Sequence, residues 1–256
     1  MVKPAKDKWI AYRRPGGSEA TRLFFLPYAG KGASGYRQLA DALGPDIEPV
    51  LVQTPGRESR LAEPAVSDLD ELVEQLADAL RGYLDVPFAF FGHSMGSLIA
   101  YELAARLERT DPELPGPVAL FVSAETAPQL LERPEVTNDE LSDAEFLADP
   151  VRVREGSPLT SDPLFAELML PTYRADSLLV ERYEHRDGQT VRCPISAFVG
   201  EFDEIVPPDT VAAWKQRTSG RFRLRLLPSD DNAFFEAESV PLITAALEGD
   251  LRAARG

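Results

Sequence analysis

Gly92-His93-Ser94-Met95-Gly96 is where residue type and spacing in this chain first describe a reaction. The G-x-S-x-G pattern sets a serine on a turn so sharp that only glycines fit beside it. That leaves the hydroxyl exposed at a helix N-terminus, able to attack a carbonyl carbon. Five letters alone would equally describe a glycine-rich turn with a capping serine, so the flanks decide. Phe88-Ala89-Phe90-Phe91, ahead of the motif, is a continuous apolar run of the kind a parallel strand covered on both faces shows. Residues 97–107, behind it, read as a helix. Phe25-Leu26-Pro27-Tyr28-Ala29-Gly30-Lys31-Gly32-Ala33-Ser34 follows another apolar run. A plain strand-to-helix turn would look the same, but beside an elbow such a loop donates a backbone N–H to an oxyanion hole. The Ala29 and Met95 amides would then face the developing oxygen charge, each such donor being worth roughly 3–4 kcal/mol of barrier.

Positioning these groups takes a sheet, and the remaining sequence supplies its parts. Residues 23–26 read as a buried strand ending at Pro27, and residues 48–52 as the next, with Pro49 inside it pointing to an edge or a strand start. From Ser67, the residues Leu69, Leu72, Val73, Leu76 and Leu80 recur at helical spacing, and Ser67 with Asp70 resembles a capped start. Residues 118–122 and 195–199 supply further strands. Phe222, Leu224 and Leu226 alternate with Arg221, Arg223 and Arg225, as in a last strand with one wet face near an edge. A terminal helix spans about 240–254. The alternation predicts an α/β chain, a mostly parallel central sheet flanked by helices, in a single domain over 1–256. Residues 133–173, rich in Asp, Glu and Pro, break the rhythm and read as an inserted helical segment over the site.

Composition excludes several other classes of function. The 256 residues carry 27 Lys+Arg against 42 Asp+Glu, a formal net charge of −15. That charge repels phosphate backbones and anionic lipid, and no basic patch overrides it, so neither nucleic acid nor a membrane surface is expected as a partner. No run of about 18 apolar residues is long enough to span a bilayer. Cys193 is the lone cysteine; an intrachain disulfide is impossible and a reducing cytoplasm fits best. Residues 1–14 start basic but lack the apolar stretch of a signal peptide. No His, Cys or carboxylate cluster has metal-ligand spacing, and the chemistry calls for no cofactor.

Pro27-Tyr28-Ala29-Gly30, Gln53-Thr54-Pro55-Gly56-Arg57-Glu58, Gly92-His93-Ser94-Met95-Gly96 and Tyr173-Arg174-Ala175-Asp176 occur in this order over nearly the whole chain. Together they resemble the type II thioesterases, discrete α/β-hydrolases that accompany polyketide synthases and nonribosomal peptide synthetases. The resemblance implies an α/β-hydrolase fold with 133–173 as a lid over an acyl channel. It implies hydrolysis of acyl groups from the phosphopantetheine thiol of acyl or peptidyl carrier proteins, with Ser94 as nucleophile and Ala29 and Met95 as oxyanion donors. Gly200-Glu201-Phe202-Asp203-Glu204-Ile205-Val206-Pro207 resembles the family's acid loop, making Asp203 the triad acid; a helix-capping aspartate ahead of Pro207-Pro208 would be its structural alternative. Glu201 and Glu204 fit the pattern less well.

The third member of the triad is where the chain departs. In this fold the order is serine, acid, histidine, the last on a loop after the final strand. That loop reads Pro228-Ser229-Asp230-Asp231-Asn232-Ala233-Phe234-Phe235, and the position that resembles the family's histidine is Ala233. Only two histidines exist. His93 is expected to pack into the strand surroundings. His185, just upstream of a parallel strand, is expected at the surface, near the sheet edge opposite the site. Without an imidazole nothing takes the Ser94 proton, and losing one triad member costs roughly four to six orders of magnitude in rate. Asp230 or Asp231 would serve as a weak base only if buried. Two readings stay open: a thioesterase replaced at its base position, and a diverged thioesterase-like protein that binds or cyclises a polyketide chain without hydrolysis. Lys31, Arg57 and Arg60 would meet a pantetheine phosphate or, as solvated side chains, hold surface carboxylates.

Overall fold

Apolar runs of five or six residues make the centre of the sheet because both of their faces are covered. The computed structural model describes residues 8–150, 152–153, 156–229 and 238–255. Its strands are β1 (Ile10–Arg13), β2 (Thr21–Leu26), β3 (Ile47–Val52), β4 (Phe88–His93), β5 (Ala119–Ser123), β6 (Ile195–Gly200) and β7 (Phe222–Leu227). They form one sheet in the order β1-β3-β2-β4-β5-β6-β7, with β1 antiparallel to β3 and every other pair parallel. The helices are α1 (Arg37–Ala42), α2 (Leu69–Leu80), α3 (Met95–Thr110), α4 (Asp143–Ala148), α5 (Pro158–Ser161), α6 (Pro163–Glu181), α7 (Pro208–Ala212) and α8 (Ser239–Arg255). Period-two alternation divides each strand between two cores. Phe24, Leu26, Phe88, Phe90, Leu120 and Val122 face α2 and α3, whereas Leu23, Phe25, Ala89, Phe91, Ala119 and Phe121 face α1 and α8.

Two local expectations are corrected. Pro49 marks neither an edge nor a strand start, since β3 lies between β1 and β2. Its carbonyl accepts from the Arg14 N–H at 3.3 Å, one residue past the end of β1. The N–H and C=O of one strand residue point the same way, so the missing donor faces the frayed end of that pairing. The cap of α2 is Asp68 rather than Ser67: the Asp68 side chain accepts from the Glu71 N–H at 2.8 Å. An anion there also opposes the positive end of the helix dipole. Residue 173 falls inside α6, which continues to Glu181. Among the described residues, no helix is long and apolar enough to cross a membrane.

Connections on either side of β2 run in opposite directions, to β3 on one side and to β4 on the other. Open α/β sheets present a crevice beyond the carboxyl ends of their strands at such a switch point. The loops following β2 and β4 meet there.

Candidate active site

Ser94 sits between β4 and α3 with φ 48° and ψ −129°, a conformation that L-residues avoid. The flanking glycines explain how it is reached. A Cβ on Gly92 would lie 1.9 Å from the Gly96 carbonyl oxygen, and one on Gly96 would lie 2.6 Å from the Leu26 carbonyl oxygen. Only bare backbone lets α3 start this close to β4 and β2. The Ser94 N–H donates to the Ser123 carbonyl at 2.8 Å, and the Ser97 N–H donates to the Ser94 carbonyl at 2.7 Å. Ser97 Oγ donates to the Gly92 carbonyl at 3.0 Å, tying the first turn of α3 to the strand. Ser94 itself is half-buried, and the Met95 amide opens α3 beside it.

Across from the elbow, Tyr28 to Lys31 form a turn in which the Lys31 N–H donates to the Tyr28 carbonyl at 3.0 Å. Gly30 has φ +69° and Ala29, before it, does not have positive φ, which is the signature of a type II turn. The switch point therefore brings the Ala29 and Met95 loops together.

Asp203 follows β6 and is buried, 4% exposed. Its Oδ1 accepts from the Ile205 N–H at 3.0 Å and the Val206 N–H at 2.8 Å, while the N-cap of α7 is Pro207, so Asp203 does not cap that helix. Ser94 and Asp203 follow strands two apart in the sheet, a separation of about 10 Å that leaves room for a bridging group. The loop after β6 is stitched to the end of β7: Glu201 N–H donates to the Leu227 carbonyl at 2.8 Å and Phe202 N–H to the Ser229 carbonyl at 3.1 Å. Asp230, Asp231 and Ala233 lie outside the described residues, directly beyond Ser229.

His93 is buried, its Nδ1 3.1 Å from Ser123 Oγ and its ring edge-on to Tyr28. His185 differs from its expected solvated placement. Its side chain is 14% exposed, and its Nε2 lies 2.8 Å from Arg217 Nη1. Desolvation, then the Arg217 charge, hold its pKa below the usual imidazole value. It neighbours the Val191–Thr218 bridge that precedes β6 and β7, at the sheet's opposite edge.

Arg57 departs from expectation, because the carboxylate it holds is buried, whereas Arg60 does hold a partly exposed carboxylate, that of Glu63, although its own side chain is buried rather than solvated. Arg57 Nη2 and Nη1 reach Asp176 Oδ1 and Oδ2 at 2.7 and 2.9 Å, with side chains 3% and 0% exposed. Arg60 is buried against Trp9, with its guanidinium 4.2 Å from the ring centroid, and donates to the Gln53 carbonyl and to Glu63. Lys31 is exposed. Asp176 had no assigned role in the sequence, yet a signal existed. Thr172, Ala175, Asp176 and Leu179 recur at i, i+3, i+4 and i+7, and all are buried. A carboxylate on the buried stripe of a helix demands a cationic partner. Among the described residues, no group of three His, Cys, Asp or Glu side chains is arranged to hold a metal ion.

A family model described as a thioesterase domain matches residues 21–248. The chain belongs to that family. It is 34% identical to the gramicidin S biosynthesis protein GrsT of Aneurinibacillus migulanus, over 91% of this chain and 90% of that protein. It is 36% identical to thioesterase PikA5 of Streptomyces venezuelae, over 85% of this chain and 76% of the relative. Among solved structures, the type II thioesterase BorB from the borrelidin biosynthetic cluster superposes with a TM-score of 0.80 at 34% identity, covering 96% of this chain and 97% of that one. RedJ, the thioesterase of the prodiginine pathway in Streptomyces coelicolor, matches with the same TM-score and identity over 98% and 96%. These neighbours share the α/β-hydrolase architecture, and the thioesterase described here is a hydrolase of the class that acts on thioesters.

Proposed function

We propose that this thioesterase edits biosynthetic assembly lines in the cytoplasm, hydrolysing acyl groups from the phosphopantetheine thiol of acyl or peptidyl carrier proteins. The observation that carries the reading is the strained elbow at Ser94, closed by Gly92 and Gly96 and faced by the Tyr28–Lys31 turn. The relatives named for gramicidin S and borrelidin biosynthesis support the class of partner. In this reading Ser94 Oγ attacks the thioester carbon and loses its proton to a base. The Ala29 and Met95 N–H groups donate to the oxyanion. Collapse breaks the C–S bond, the leaving thiolate regains the proton, and water repeats the sequence on the acyl-serine to release free acid. Asp203 would orient the base. Residues 133–173 would form the lid over the acyl chain, with Phe146, Val153, Leu159 and Leu170 as its own apolar core.

Ala233 stands where the base is expected, so turnover by the chain itself is slow in this proposal. That position also favours the second reading, a protein that binds or cyclises an acyl chain without hydrolysis. The experiment compares the chain with its A233H and A233H/S94A variants on an acyl carrier protein thioester, following free acid and the acyl adduct on Ser94. A rise in acid release of about 10³-fold or more with A233H, abolished by S94A, is expected. No rise would displace hydrolysis in favour of binding, and product without free acid would favour cyclisation.

A further inference from the structure

We propose that Asp176, held by Arg57, is a positioning residue that sets the oxyanion turn, an inference that rests on the assignment of the Ala29 amide above. Asp176 Oδ2 accepts the Gly30 N–H at 2.7 Å from the buried face of α6. Gly30 N–H belongs to the central peptide of the Tyr28–Lys31 turn. Type I and type II turns differ by a flip of that peptide, so a carboxylate fixed on the N–H selects one of the two. The Ala29 N–H lies on the preceding peptide, which such a flip leaves in place; Asp176 and Arg57 act on its aim by fixing the whole turn, through Gly30 N–H and the Lys31 carbonyl, in one position opposite Ser94.

The carboxylate is fixed from both sides. Arg57 grips it with two N–H groups, and Nη1 also donates to the Lys31 carbonyl at 3.2 Å, the next carbonyl beyond Gly30. Arg57 Nε donates to the Pro55 carbonyl at 3.2 Å, and Thr172 Oγ1 donates to the Gly56 carbonyl at 2.5 Å, so the loop after β3 is tied to the same helix. The Tyr173 ring lies over Gly30, where an added Cβ would come within 2.0 Å of Cζ. One turn of α6 thus clamps the turn opposite Ser94.

Stability alone does not account for the pair. Burying two charges costs about what their attraction returns, and replacing both by apolar side chains of similar volume is often neutral or better. What apolar side chains cannot replace is the acceptor for Gly30.

That difference is the test. In the full chain carrying A233H, the double variants R57M/D176N and R57M/D176L both remove the buried charges, but only D176N keeps an amide oxygen for Gly30. With an acyl thioester substrate, R57M/D176L is expected to lower kcat by about 10- to 100-fold relative to R57M/D176N, with KM and Tm similar in the two. In 15N-labelled protein the Gly30 amide should exchange with solvent faster in R57M/D176L alone. Equal kcat in the two variants, or Gly30 protection unchanged, overturns the proposal. Should A233H fail to restore hydrolysis, the base assignment falls, and Gly30 exchange then decides the positioning role: faster exchange in R57M/D176L supports it and unchanged exchange overturns it.

Discussion

Ser94 and Gly30 both hold positive φ, and the means differ. The serine is forced into it by crowding between β4, α3 and β2, the glycine adopts it freely and is then locked by a charge. A third residue, in the loop after β5, carries a different cost. Glu125, two residues past β5, is 8% exposed, and burial raises its carboxyl from 4.5 to about 8, with a hydrogen bond from the Thr126 backbone acting against the rise. An unfolded chain releases this proton near pH 4.5 and the folded one near pH 8. Between those values the folded state holds the extra proton, so its stability falls as pH rises. E125Q should remove the penalty, raising stability by roughly 2–3 kcal/mol at pH 7 and leaving it unchanged at pH 4. Urea unfolding at the two pH values checks this; an equal effect at both would mean that packing, not protonation, sets the difference.

At the level of elements, α2 depends on its cap. D68A should cost about 1 kcal/mol, read as a lower urea midpoint with an unchanged slope, whereas S67A should cost little. The expectation for Ser67 was one residue off because both residue types cap well, and side-chain reach to Glu71 decides between them. Strands were legible where runs such as 88–91 are apolar without interruption, and the elbow was legible because its glycines and its neighbours agree. Pro49 misled because its missing donor is harmless only at the frayed end of β1, a fact of register. Arg57 and Asp176 lie 119 residues apart. Each sits in a recognisable motif, but their pairing depends on α6 crossing over the loop after β3. Sequence spacing carries no trace of that crossing. Ala233 was read as the base position from its place before Phe234-Phe235, and it lies beyond the described residues.

On the scale of the whole molecule, the sheet ends at β7, whose Arg223 and Arg225 both bind Asp250 of α8 while Leu226 stays half exposed. An outermost strand offers its hydrogen-bonding groups to any similar strand. Two copies of β7 meeting edge to edge would set arginines against arginines and repel. R223T leaves Arg225 to hold Asp250, so the thermal midpoint should stay within about 2 °C, while light scattering on heating begins earlier. Scattering that begins at an unchanged temperature would mean the arginines are there for Asp250 alone. The alternating arginines face α8 and its Asp250 rather than open solvent, and they would thereby also act as gatekeepers against aggregation, keeping copies of the chain from joining into a continuous sheet.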